Sequence, residues 1–378
     1  MYKNRLLVAI LIISIIIAIP GCGRSAHAPE NTMLNDIPAV DCYATLLDDS
    51  FIYFTFTSSN AISIYRHFFD GKTILIGTIE DYVFNLGLFT VTNNHVYFYV
   101  TTAISAESVF ENNTYENNIY SVELKSNSFE LVYSESECLP GALLHSTDKY
   151  LVSRQSERDE NNVLSTYIEL YDLETAAVVN SSKVFCLDDS RNVGEYMINI
   201  CTDNGFIYAL VDTRYEDGSN EALLYKYDID FNVVSAIDMK NISDYILKAR
   251  VGNMNINNDI VYMKNYSGDA FIGRIIENSI VPLIKQQYLE VAVNYFDDVP
   301  LYYQRTGSTL YQFDFSTSEL QKITLQTSND FIIKNVLING NNCLITMFTY
   351  ETSYFDKKED KVYYVNRDNI ASLVYGND

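Results

Sequence analysis

Four histidines, six cysteines and a scatter of paired acids are the residues from which this 378-residue chain could build catalytic or metal chemistry. The histidines (His27, His67, His95 and His145) lie far apart, and no CxxC or Cys/His cluster has the spacing of a zinc site. No GxSxG, HExxH or phosphate-binding loop is present, so the nucleophile, zinc-base and nucleotide chemistries those motifs serve have no local support. "DIDFN" (Asp228, Asp230, Asn232) opens like a calcium loop. The slots where such a loop needs Gly and a closing Glu hold Val233 and Met239, so a plain turn is expected there. A glycan-cleaving pair of carboxylates on the innermost strands would have to come from Asp41, Glu195 and Glu290. No catalytic residue, metal or cofactor is expected on this reading.

The elements that must position any site are legible as a repeat. Seven times a turn rich in Asn, Asp and Gly leads into a short apolar and aromatic run, as in "DDSFIYFTF" (48–56), "NNHVYFYV" (93–100) and "DNGFIYALV" (203–211). Aligned on Ile52, Val96, Tyr150, Ile207, Val261, Leu301 and Leu344, the copies recur about every 49 residues, a spacing that belongs to propellers and solenoids. Each run has a strand-like segment before it. After it come a variable insert, a tyrosine phrase such as "LLYKYDID" (223–230) or "TLYQFDF" (309–315), and a last short apolar run. The plan is four strands per unit, the acidic end of the tyrosine phrase making the hairpin turn from third strand to fourth.

In "FIYFTF", Phe51 and Tyr53 face one way while Ile52, Phe54 and Phe56 face the other, so both faces of the strand are apolar. No repeated amphipathic helix is available to cover them. Sheets must then cover sheets, and stacking four-stranded sheets around an axis achieves this for every unit. The expected fold class is all-β: a β-propeller of seven four-stranded blades, with six or eight the alternatives, over residues 41–378. The chain resembles divergent propeller-like bacterial lipoproteins in layout alone. Tryptophan is absent, so no WD, quinoprotein or Asp-box signature is present, and that resemblance implies no catalytic residues. The last unit is expected to supply its own fourth strand, "IASLVY" (370–375), without strand exchange. Cys42 and Cys343 would then be neighbours across the seam, where a disulfide clasp is open to them.

Inserts between second and third strands emerge together on one face of a propeller, and function concentrates on such loops. They are short in units five and six and long in unit two (101–118), unit three (154–165), unit four (212–221) and unit seven (349–360). Units two to four are consecutive, so their inserts form one rim. Its candidate binding residues are Tyr115, Glu116, Arg158, Asp159, Arg214, Tyr215 and Asp217, types that recognition surfaces favour. The 31 tyrosines invite a sugar-stacking reading, but most recur at strand positions where packing between blades explains them.

The first residues give an address. Lys3 and Arg5 precede an apolar run from Leu6 to Pro20, then Gly21-Cys22. The run is shorter than the ~20 residues a transmembrane helix needs, so residues 1–21 read as a secretory signal. "IPGC" (19–22) resembles the lipobox of bacterial lipoproteins. That resemblance implies a diacylglycerol thioether on Cys22 and a protein lipid-anchored to the outer face of the bacterial cell membrane. Residues 22–40, polar with Pro29 and Pro38, are expected to be a flexible tether. The chain carries 26 Lys+Arg against 49 Asp+Glu, a net charge of −23 that becomes −25 once Lys3 and Arg5 leave. Such a field repels phosphate backbones, so nucleic acid is not an expected partner. The five cysteines beyond Cys22 are odd in number and scattered, unlike a disulfide framework. The expected function is a non-catalytic binding or scaffold protein whose rim engages a protein or peptide. The alternatives are a glycan or small-solute receptor using the central pocket and, behind it, a propeller hydrolase or lyase.

Overall fold

A computed structural model of the chain describes residues 32–34, 42–57, 61–81, 83–92, 94–103, 115–138, 145–146, 149–161, 163–175, 177–188, 191–247, 251–294, 301–304, 308–314, 316–317, 319–325, 332–350, 357–366 and 370. The repeat folds as expected into seven sheets of four antiparallel strands. Blade one is Cys42–Leu46, Ser50–Phe56, Ile62–Phe68 and Thr73–Ile79. Blade two is Val83–Thr92, His95–Ala103, Tyr115–Glu123 and Phe129–Cys138. Blade three is His145–Ser146, Tyr150–Arg158, Val163–Asp172 and Ala177–Asp188. Blade four is Val193–Asp203, Phe206–Arg214, Asn220–Tyr227 and Val233–Asp238. Blade five is Val251–Asn257, Ile260–Asn265, Asp269–Ile276 and Ser279–Gln287. Blade six is Leu289–Val291, Leu301–Gln304, Thr309–Asp314 and Glu319–Thr324.

Blade seven takes Ile332–Asn339, Asn342–Tyr350 and Lys357–Asn366 from the end of the chain and its fourth strand from the beginning. Thr32–Leu34 lies antiparallel beside Lys357–Asn366, with Thr32 opposite Tyr364 and Leu34 opposite Val362. This corrects two expectations. The segment read as tether contributes a strand, and the ring closes by strand exchange rather than through "IASLVY". Of that run Ile370 is buried among blade six and seven residues, and the rest lies outside the described residues. A three-residue strand has no period to betray it; its place is decided by the open edge it completes. The disulfide clasp is also absent, since Cys343 is a buried free thiol whose desolvation pushes its pKa up to about 12.

Closure is visible in the core. The alternation read from "FIYFTF" is realised: Phe51 and Tyr53 pack on Leu337, Leu344, Val362 and Tyr364 of blade seven, while Ile52 and Phe54 pack on Val96, Phe98 and Val100 of blade two. Each buried ring or branched chain contributes roughly 1.5–3 kcal/mol, so every blade is held from both sides. Among the described residues the apolar core divides into seven clusters, one at each blade-to-blade interface. A six- or eight-bladed ring has no place in that count. A short helix, Lys240–Ile246, plugs the junction of blades four and five with Ile242 and Ile246. Blades three and four are joined by pairing of Leu187 with Gly194 and Asp188 with Val193. Between blades six and seven, Val293–Asn294 runs parallel to Leu337 and Ile338.

Candidate functional site

The strand registers alter the picture of the long inserts. In blade three the second strand runs to Arg158 and the third resumes at Val163, leaving a turn of four residues. In blade four the strands run to Arg214 and from Asn220. These inserts are therefore not loops but hairpin extensions whose backbone donors and acceptors are paired along the ladder. In blade two the connection 104–114 lies outside the described residues, while 115–118, read as insert, already belong to the third strand.

The candidate rim residues divide accordingly. Tyr115 is 3% exposed, opposite Ala103 in the ladder, and belongs to the interior. Glu116 accepts from the Ser134 hydroxyl at 3.0 Å. Arg158 is the last exposed residue of its strand. Asp159 holds the blade-three turn, its Oδ1 accepting from the amides of Asn161 and Val163 at 2.9 Å. Asp217 does the same in blade four, accepting from the Ser219 amide and hydroxyl, and these bonds pull its carboxyl below the usual range. Tyr215, 44% exposed, donates to Glu221 at 3.0 Å. Arg214 donates from Nε to Asp212 at 2.9 Å and reaches the Asn192 side chain, while Arg191 pairs with Asp188 at 2.6 Å and Glu216 at 3.7 Å. These bonds fasten the blade-four hairpin to the blade-three crossing, making a braced platform of Arg191, Arg214 and Tyr215.

Residues the sequence reading missed lie beside this platform, between blades two and three. That interface has the thinnest apolar cluster among the described residues: Tyr97, Tyr99, Ile119, Leu151 and Tyr171. Moving toward the hairpins, the facing positions turn polar. Strand alternation puts Ser153, Gln155 and Glu157 on the side of blade three that meets blade two, with Glu169 and Tyr167 opposite them in the ladder. From blade two come Thr101, Asn117 and Glu135, which share one rung. Thr101 donates to Asn117 Oδ1 at 2.9 Å, and Asn117 Nδ2 crosses the interface to Gln155 Oε1 at 3.0 Å. Tyr167 donates to Glu157, and Ser181 to Glu169 Oε1 at 3.3 Å. The Glu135 carboxyl is pushed up by burial and then by the neighbouring charges of Glu169 and Glu157; burial likewise raises Glu169. Gln155 is three residues in from Arg158 and Asn117 two in from Tyr115, so the polar layer lies toward the hairpin end of the blades. The sequence carried only a weak signal, the polar runs "YENN" and "RQSER", because "VDTR" (211–214) and "NEA" (220–222) of unit four are polar at the same strand positions.

The other candidates have local roles. Asp228 accepts from the Asp230 and Asn232 amides at 3.0 and 2.8 Å, so "DIDFN" is a turn as expected. Glu290 is paired with Lys264, and Glu195 lies half-buried in blade four, its carboxyl raised by desolvation. Asp41 and His27 lie outside the described residues. His67 is buried against Phe51 and bonded through Nδ1 to Thr73 at 2.7 Å; desolvation lowers its pKa against the pull of Asp70. His95 stacks on Tyr97, and His145 opens the short first strand of blade three. Among the described residues no group of three His, Cys, Asp or Glu side chains is placed to hold a metal ion.

No protein-family model matches the chain, and no curated protein matches it. Solved structures share its shape at low identity. The β-propeller domain of the Trilobed protease from Pyrococcus furiosus is 11% identical, with 93% of this chain and 100% of that one covered at a TM-score of 0.48. BamB from Moraxella catarrhalis is 11% identical, with 85% and 81% covered at 0.43. A chain of the mitotic checkpoint complex is 8% identical, with 90% and 94% covered at 0.49. Likenesses this distant carry neither activity nor partner, and the propeller assignment rests on the seven blades and their closed ring.

Proposed function

We propose that this chain is a lipid-anchored, non-catalytic binding propeller that engages a protein or peptide partner on the hairpin face of blades two to four. The observation that carries the reading is the interface of blades two and three, where buried polar side chains replace apolar packing beside the braced hairpins of blade four. A buried polar layer contributes less stability than the apolar one it replaces, so its presence asks for a reason other than packing. The closing strand supports the orientation. It runs from the side of the Asn339–Asn342 turn toward the hairpins, because Thr32 lies nearer Asn366 than Leu34 does. A chain anchored at Cys22 has ten residues, at most ~35 Å, in which to reach Thr32, and it would enter on the side opposite the hairpins. The hairpin face would then look away from the membrane.

Photo-crosslinking in living cells tests this. A crosslinker at Tyr215, on the hairpin face, is expected to give discrete adducts. The same probe at Ser126, in the turn between third and fourth strands of blade two, is expected to give none. Adducts from both positions alike, or from neither, would overturn the reading. Cys22→Ser is expected to move the protein from the membrane to the soluble fraction; retention in the membrane would remove the anchor from the account.

A further inference from the structure

The layer between blades two and three presents Glu135, Glu157 and Glu169 on one interface, and Lys183, opposite Tyr167, is the one basic position the described register brings to its upper half. Acidic residues alone do not make a site. Here a second feature stands among them: Gln155 is 5% exposed, its Oε1 is occupied by Asn117, and its Nε2 has no hydrogen-bond partner. The second oxygen of Glu169 is buried and equally without one. A buried amide donor left open is costly, and a charged acceptor more so. The layer therefore offers, to anything entering from the hairpin face, the open Glu169 oxygen, the exposed Glu157 carboxylate and one neutral donor.

That combination selects its ligand. A single metal ion asks for oxygens converging on one point, which these side chains do not provide, and an amide N–H repels it. A guanidinium has five donors in a rigid fork that spans separated carboxylates, and a peptide backbone has the carbonyl an amide donor lacks. We infer that this cleft receives an arginine side chain of an extended peptide segment, with Glu135, Glu157 and Glu169 around the guanidinium and the Gln155 amide donating to a backbone carbonyl of the same segment. The inference rests on the hairpin-face reading above and names the chemistry of the partner. Burial and mutual repulsion hold Glu135 above the usual carboxylate range, strain that an entering cation relieves. The net charge of −23 draws basic segments toward the whole body, and the cleft supplies the specific contact.

The test uses fluorescence anisotropy with a labelled Gly-Gly-Arg-Gly-Gly peptide and its uncharged citrulline counterpart at physiological salt. The arginine peptide is expected to bind at least tenfold tighter. Glu135→Gln, Glu157→Gln and Glu169→Gln together should erase that ratio. The equally neutralised but distant triple Asp230→Asn, Glu277→Gln and Glu319→Gln should leave it, separating the cleft from the general field. Gln155→Leu should weaken both peptides about fivefold and keep the ratio, because its contact is to backbone. Thermal melts check that each variant is folded. A ratio near one, a ratio untouched by the cleft triple, or one lost equally in the distant triple would overturn the inference, as would cleft-dependent stabilisation by calcium in place of peptide binding. Tyr215 adducts without an arginine preference would sink this inference and leave the hairpin-face reading standing; a cleft-dependent preference without adducts would do the reverse.

Discussion

The crossing from blade three to blade four turns on Gly194, and replacing it measures how tightly that joint is made. Gly194 has φ +126°, and a Cβ added there would stand 2.2 Å from the Cys186 carbonyl oxygen. Such a φ belongs almost to glycine alone, at a cost of order 1–3 kcal/mol for any other residue. The contact is with backbone of a paired strand, which cannot swing away, so overpacking adds roughly another 1–3 kcal/mol. Gly205, in the turn between the first two strands of blade four, is the control: φ is +76° and nothing lies within 4 Å of an added Cβ. Its alanine variant meets the dihedral penalty alone, about 1 kcal/mol. With an unfolding slope of about 3 kcal/mol per molar urea, Gly194→Ala should lower the midpoint by about 1 M and Gly205→Ala by about 0.3 M. Far-ultraviolet circular dichroism reads the transition, with tyrosine emission as the second probe in a chain without tryptophan. Equal midpoints for the two variants would refute the close approach and, with it, the bracing of the blade-four hairpin.

Three further outcomes are expected. A body beginning at residue 32 should unfold at higher urea than one beginning at residue 36, by roughly 2–3 kcal/mol, since the second loses the three rungs between Thr32–Leu34 and blade seven; equal midpoints would deny the closure. Tyr262→Phe should cost about 1–2 kcal/mol in a thermal melt, because the buried Tyr262 hydroxyl donates to the Leu289 carbonyl of the next blade at 2.7 Å and leaves it unpaired when removed. Glu169→Gln should raise stability at pH 7. Its folded pKa lies above the ordinary value of 4.5, so the native state favours the neutral acid, and its contribution is full below 4.5 and lost as pH rises through the folded pKa. The glutamine variant keeps what the carboxylate loses, so the difference should shrink on acidification to pH 4; a gap equal at both pH values would deny the shift.

Fold and site were not equally legible. Seven turn-and-run phrases at a regular spacing were enough for the blade count, because each blade repeats the same local problem of a strand apolar on both faces. Asp228 and Asp314 were readable as turn formers for the same reason: their carboxylates bond amides two to four residues ahead. The rim was read less well. "RQSERDENNVLS" looks like a loop by composition, yet the residues from Arg154 to Arg158 form ladder pairs with Leu164 to Ile168. Polar residues in an exposed hairpin carry no mark that separates them from a loop, and cross-strand register is set by what lies opposite.

What the sequence determined by itself is local and periodic: strand alternation, hairpin turns, seven units and the acidic charge. The tertiary structure decided what depends on residues far apart in the chain. Thr32–Leu34 is a strand because blade seven, more than 300 residues later, leaves an edge to be paired. Gln155 and Asn117 form one polar layer because neighbouring blades press their faces together, and which residues meet across that seam follows from the ring's closure, not from any pattern within either blade.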